Sequence, residues 1–339
     1  MPFRRLLIAA AVLVSACNGP QLAAQDTSFA AYLETLKARA SSEGVSAATI
    51  ARMTAGLTPS QRVIELDRAQ PGGASPASGF PPLAPYLATH VDAARIAGGR
   101  RVLAEHRETL RRVEARYGVP AEILVAIFGH ESGYGNVKGS FDLAQALATL
   151  AWEGRRRTLF ADEFVALMKV ADRGYDRTML RGSWAGAFGN PQFLPSVYLR
   201  LAVDGDSDGR ADIMNNRADT FASIANYFRD AGWRRGQPWG VRASVPTGLD
   251  VDAQASRLTA PQCPRVHVRH SRFRTVREWR ALGVVPQGVL GDDVLVSLFR
   301  PDGPGTSAWL LTGNYRAILE YNCSNYYAMS VGLLADAIR

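Results

Sequence analysis

Residues Val119 to Gly135 read VPAEILVAIFGHESGYG. Pro120 suits the first position of a helix, where a missing N–H costs nothing. Glu122 follows in the first turn, where a negative charge favours the helix dipole. Ile123, Leu124, Ile127, Phe128 and Glu131 recur at helical spacing and share one face. Four of the five are apolar, and the fifth is a carboxylic acid at the end of the stripe. Ser132, Gly133 and Gly135 then stop the helix. A carboxyl held against an apolar surface prefers its neutral form, and the negative end of the helix dipole pushes the same way. Glu131 is therefore a candidate general acid. The plainer reading is a glutamate that reaches solvent at a helix end.

The chain has 339 residues, 47% of them apolar and 21% charged. It can bury a substantial core in one large or a few small domains. Its net charge of +8, carried mostly by arginine, suits an anionic polymer or surface. Zinc-finger spacing, a Gly-rich phosphate loop and a lysine-rich tail are absent, so nucleic acid is a poor expectation. The five histidines are too scattered for a zinc site or a catalytic triad.

At the N-terminus, Arg4 and Arg5 precede an apolar run from Leu6 to Ala16. Its length, about eleven residues, fits a signal peptide and is too short to span a membrane. The run ends in Val14-Ser15-Ala16-Cys17, similar to a bacterial lipobox with Cys17 as the acylated residue. Ordinary cleavage near Ala16 or Ala24 is the alternative. In an exported chain Cys263 and Cys323 can form a disulfide, or remain two buried thiols.

The expected order is a signal segment (1–25), an N-terminal helical region (26–117), a core with an Asp-rich loop (118–245), a small strand-containing insert (246–312), and a helical return (313–339). Phe29, Tyr32, Leu33, Leu36 and Ala40 form one stripe, and Ser46 caps a second helix. Residues 71–85 are a Pro/Gly/Ser linker. A long helix is expected from Pro85 to Tyr117, with Gly98-Gly99 as its weak point. Others are expected at 142–152 and 160–173, and one capped by Asp219. The triple arginine Arg155-Arg156-Arg157 reads as a solvated turn, or else a polyanion contact. Val266–Val268 and Val294–Leu298 read as strands.

Three further stretches carry chemistry. Ser183 to Tyr198, SWAGAFGNPQFLPSVY, joins small residues to the flat faces of Trp184 and Phe188 and the amide of Gln192. Such a mixture suits sugar rings, whose faces are apolar and edges polar; a tight helix contact is the alternative. Tyr321, Asn322, Ser324 and Tyr327 place amides and hydroxyls at the head of the last helix, fit to line a groove or simply to cap it. Asp204, Asp206, Asp208, Arg210 (through its carbonyl) and Asp212 fall at calcium-loop spacing, with Gly209 at the turn. Asn215 stands where a bidentate glutamate is usual, and Asp219 is a substitute. A metal-free Asx-turn loop is the alternative. His130 projects away from Glu131 and reads as a packing or surface residue rather than a catalytic partner.

GHESGYG, ALATLAW, GSWAGAFGNPQFLPSVY, the Asp loop leading to SIANYF, and YNCSNYYAMSVGLLAD occur here in that order. Together they resemble the membrane-bound lytic murein transglycosylases of the B type. The resemblance implies a mainly α, lysozyme-like core with a split helical domain. It implies cleavage of the β-1,4 bond between N-acetylmuramic acid and N-acetylglucosamine in peptidoglycan, with Glu131 as the single acid/base and 1,6-anhydromuramic ends as product. Ser183, Gln192, Asn322 and Tyr327 would line the saccharide groove. The chemistry needs no cofactor, and calcium is expected only as a structural ion. The expected setting is a monomer in the periplasm of a Gram-negative bacterium, with Cys17 as membrane anchor if acylated. A hydrolytic muramidase would need a second carboxylate, for which Asp142, Glu153 and Asp162 are nearest in sequence. A non-catalytic peptidoglycan binder would not need Glu131 at all.

Overall fold

The computed structural model describes residues 28–70, 81–258, 266–303 and 305–339. Cys17 and Cys263 lie outside them; Cys323 is disulfide-bonded.

Three short helices come first: α1 (Phe29–Ser42), α2 (Ala47–Thr54) and α3 (Gln61–Arg68). The α1 stripe buries Phe29, Leu33, Leu36 and Ala40, and Ser46 accepts the Thr49 N–H at the head of α2. The expected long helix is instead three: α4 (Leu83–His90), α5 (Ala93–Glu105) and α6 (Arg107–Tyr117). The breaks fall at Asp92, which caps α5, and at His106. Gly98 and Gly99 interrupt nothing. They are glycines because Tyr134 and Ile338 press on them: a Cβ at Gly98 would lie 2.6 Å from the Tyr134 ring.

The helix α7 (Ala121–Ser132) has Pro120 at its N-cap, one position earlier than expected. It is buried on all sides rather than along one stripe. The neighbours that enclose it are α5, α6, α11 (Arg217–Asp230) and α14 (Asn325–Ile338). These helices and α13 (Gly313–Tyr321) make the first core. A second core joins α1–α3 to α8 (Leu143–Glu153), α9 (Arg157–Asp172) and α10 (Pro195–Leu201), beside a small ribbon of β1 (Phe141–Asp142) and β2 (Arg181–Gly182). The triple arginine serves this core. Arg155 and Arg156 both pair with Asp67, which is 1% exposed, at 2.7 and 2.5 Å, and Arg157 lies over Tyr32. They pin α3 to the α8–α9 turn, in place of the solvated turn or polyanion contact expected.

The insert is an antiparallel five-stranded sheet in the order β4-β6-β7-β3-β5. Its strands are β3 (Gly240–Ser244), β4 (Arg274–Thr275), β5 (Val285–Pro286), β6 (Leu295–Phe299) and β7 (Ala308–Leu311), so it begins at Gly240, before the expected 246. Trp279 of α12 (Val276–Ala281) is its central side chain and donates Nε1–H to the Val296 carbonyl. Val266–Val268 is a turn, not a strand. Alternating branched residues there are only three long, too few to settle a pairing.

Candidate active site

The last turn of α7 is fixed by two successive left-handed residues, Gly133 at φ 55° and Tyr134 at φ 61°. Tyr134 tolerates this because its ring wedges between Gly98 and Gly129 and its hydroxyl donates to the Arg95 carbonyl at 2.6 Å. Glu131 is thereby turned toward the head of α14. Its Oε1 accepts the Tyr327 hydroxyl at 2.5 Å. One residue back, His130 Nε2 meets Ser330 Oγ at 2.6 Å. Ser330 Oγ also donates to the Tyr327 carbonyl at 2.8 Å. Burial, assisted by the charges of Arg95 and His90, pushes the His130 pKa down to about 3, leaving it neutral. His130 is a packing residue, as its position on the helix implied.

Burial pushes the Glu131 carboxyl up from the ordinary 4.5 to about 7; the Tyr327 hydrogen bond opposes this and loses. Tyr86 of α4 and Tyr321 at the end of α13 also face it. Burial raises both phenols, and the Glu131 charge adds to the effect. No sequence signal marked Tyr86. It is stacked on His90 at 3.8 Å and lies 5.7 Å from Tyr326, so its place depends on α4 crossing α14.

A second carboxylate does not join Glu131 among the described residues. Asp142 caps α8 and pairs with Arg177 at 2.8 Å, Glu153 pairs with Arg68 at 3.1 Å, and Asp162 pairs with Arg39 at 2.7 Å. All three are taken up in the second core's own ion pairs.

The loop from Ser183 is a set of tight turns. Ser183 Oγ accepts the Ala187 N–H, which leaves its own O–H to donate. The loop's small residues permit close approach of several kinds: a Cβ at Gly182 would lie 2.2 Å from the Ala187 carbonyl oxygen, one at Gly186 would lie 2.5 Å from Leu147 of α8, and one at Gly189 would lie 2.7 Å from Ile213. Phe188, expected as an open face, is fully buried against Tyr198; Trp184 stays half-buried. Asn190 donates to the Met214 carbonyl and the Thr220 hydroxyl, which anchors the loop. Gln192 then takes φ 51° and lines a cleft of about 360 Å³ with Lys138, Met179, Arg181 and Asn215. Tyr321 acts as a brace: its hydroxyl donates to the Pro191 carbonyl at 2.6 Å and its ring packs against both cores. Asn322 is exposed at the end of α13, and Ser324 accepts the Tyr327 N–H as the cap of α14.

The Asp loop is only partly as expected. Asp204, Asp206 and Asp208 bring one oxygen each within 4.8 Å of the others. Asp212 turns instead to the N–H groups of Met214 and Asn215. Asp219 is fully buried, and its two oxygens accept the Gly205 and Asp212 N–H groups at 2.7 and 2.6 Å. It straps the loop closed and is neither a free ligand nor the helix cap, which is Asn216. Arg210 lays its guanidinium over Tyr175.

The transglycosylase SLT domain family model matches residues 28–336. This chain belongs to that family. It is 34% identical over 242 residues to membrane-bound lytic murein transglycosylase B of Escherichia coli K12. The match takes in 69% of this chain and 61% of that protein, so the chain spans less than two thirds of that relative's length. Among solved structures it is similar to SltB3 of Pseudomonas aeruginosa in complex with NAG-anhNAM-pentapeptide (36% identity, TM-score 0.82, covering 92% of this chain and 80% of that one). It is also similar to Slt35 of E. coli in complex with calcium (29% identity, TM-score 0.74, covering 91% and 92%). The mainly helical, lysozyme-like fold is shared with these members of the family.

Because folding raises the Glu131 pKa, its protonated form stabilises the fold fully below pH 4.5, and that contribution is lost as pH rises through about 7. The difference corresponds to roughly 3 kcal/mol. Glu131→Gln cannot ionise. Its urea midpoint should exceed that of the wild type at pH 8 and match it at pH 4; parallel pH curves for the two proteins would contradict the buried-acid assignment.

Proposed function

We propose that this chain is a lytic transglycosylase that cleaves the β-1,4 bond between N-acetylmuramic acid and N-acetylglucosamine in peptidoglycan. One observation carries the reading: a carboxyl near pKa 7 that accepts a hydrogen bond from Tyr327 and has no carboxylate partner among the described residues. A group of this kind can give and then take a proton near neutral pH. Glu131 protonates the leaving O4 of N-acetylglucosamine as the muramic C1–O4 bond breaks. The muramic acetamido oxygen supports C1. The 6-hydroxyl oxygen then bonds to C1 and its proton passes to the Glu131 carboxylate, which restores the acid. No water enters, so the product is a 1,6-anhydro ring.

The loop and helix head around Glu131 favour this route over hydrolysis. Segments Ser183–Tyr198 and Tyr321–Tyr327 contain no Asp or Glu, so they can hold the N-acetyl group and ring but cannot activate water. Ser183, Gln192, Asn322 and Tyr327 are the groove residues in this reading. Tyr321 and Ser324 support them as brace and cap. The N-terminal run and Cys17 support export to the periplasm and attachment by a lipid. No described helix is long and apolar enough to cross a membrane.

The Asp loop is read as a structural calcium site held by Asp204, Asp206 and Asp208. Clustered hard oxygens fit that ion, and the calcium complex of Slt35 supports the reading. Calcium there would offset two of the cluster's three negative charges and tighten the loop, with no part in the chemistry.

Purified cell walls digested by the enzyme should release muropeptides lighter by one water than hydrolysis products, read by mass spectrometry. Glu131→Gln should lose at least about 100-fold in rate while still binding the walls. Reducing muramic ends as the main product would mean a hydrolase, and a tenth of wild-type activity in the mutant would mean another acid.

Millimolar calcium should raise the melting temperature of the wild type and not of Asp204→Asn. An indifferent wild type would reduce the loop to a turn.

A further inference from the structure

The strand insert supplies no atom to the Glu131–Tyr327 contact, yet it is fastened to the helical turn that carries Tyr327. The fastening is Asn325, the first residue of α14. Its Nδ2 donates to the Val266 carbonyl at 2.7 Å. Its Oδ1 accepts from His270 Nε2 at 2.8 Å and from the Tyr315 hydroxyl at 3.0 Å. A carbonyl can only accept, so Val266 fixes which way the amide points. Oδ1 in turn requires the proton of His270 to sit on Nε2. His270 Nδ1 then faces the Ser297 hydroxyl of β6 at 3.4 Å.

These groups are held from every side. His270 is buried, lies 4.6 Å from the Phe299 ring, and has His267 edge-on at 5.5 Å. Burial pushes its pKa down to about 4; the Asn325 bond opposes this, and the charges of His267 and Arg316 add to it. The ring is neutral wherever Glu131 titrates. Tyr315 is fully buried on α13. Ser324, immediately before Asn325, accepts the Tyr327 N–H, so the cap, the fastened amide and the phenol form one helical turn. Among the described residues, Tyr327, Tyr321 and Tyr86 are the titratable groups facing Glu131, and of these Tyr327 hydrogen-bonds to it.

We propose that His270 and Asn325 are positioning residues for catalysis: they hold the first turn of α14 where the Tyr327 hydroxyl meets Glu131. The insert thereby sets the environment of the acid from a distance. A half-buried amide with three hydrogen-bond partners on two other elements has one low-energy orientation, and the turn it opens inherits that definition. The catalytic half of this inference rests on the transglycosylase reading; the structural half does not.

The test is a ¹³C-carboxyl NMR titration of Glu131, assigned by its loss in Glu131→Gln, combined with rates on purified cell walls. In His270→Phe the Tyr327 bond should lengthen. Because that bond lowers the Glu131 pKa, the titration should move to higher pH by at least about 0.5. The kcat should fall about tenfold with KM within twofold, since misplacement of this kind acts on the reacting geometry. His270→Gln keeps an N–H donor at similar reach and should restore both readings. If His270→Phe does not fold, Asn325→Ser removes the amide and its bonds to Val266, His270 and Tyr315 while keeping a residue suited to a helix head, and is read by the same criteria. A folded variant whose Glu131 titrates as in the wild type would overturn the proposal. A wild type that releases no anhydro product would sink the transglycosylase reading alone, because the titration judges the positioning without any turnover.

Discussion

The hydrogen bond from Tyr327 to Glu131 is where the demands on this fold converge. It joins the end of one buried helix to the start of another; Tyr327 is buried and Glu131 half-buried. Two opposed effects act on the carboxyl: burial disfavours its charge and the phenol favours it. Burial wins, which leaves the group near pKa 7 rather than fully suppressed. The balance holds only if α7 and α14 keep their register. His130–Ser330 repeats the link beside it, and Tyr134 fixes where α7 ends. Glycines at 98 and 129 exist to admit that tyrosine, at the cost of poorer helix propensity.

Two hydrophobic cores flank this contact. The first surrounds α7; the second is built on α8 and α9 and receives the N-terminal helices. Tyr321 packs against both and donates to Pro191, beside Gln192. Loops held between packed units can present amides and hydroxyls. The buried Asp67, held below the ordinary carboxylate range by Arg155 and Arg156 against the penalty of burial, secures the second unit at its outer edge.

Much of this was legible in the chain. The α1 stripe, the Ser46 cap, the helix that ends at Glu131 and the chemical character of the Ser183 loop follow from periodicity and side-chain type. The failures share a cause: a residue whose role is set by a partner distant in sequence. Gly98-Gly99 reads as a break because its reason, Tyr134, arrives 35 residues later. Asp219 reads as a cap or ligand because the backbone amides it serves belong to a folded loop. Phe188 reads as an open face because local sequence does not report burial. Tyr86 and Asn325 carried no signal, since each matters only through the way α4, α13 and the insert meet α14.

The central claim is that burial keeps one carboxyl protonated so that it can serve alone as acid and then base. The most direct measurement is kcat/KM for cell-wall cleavage as a function of pH. The account predicts a single alkaline limb in which activity falls tenfold per pH unit above about 7, where free Glu131 loses its proton. A rate that is level from pH 5 to pH 9, or one already falling through 4.5, would contradict it.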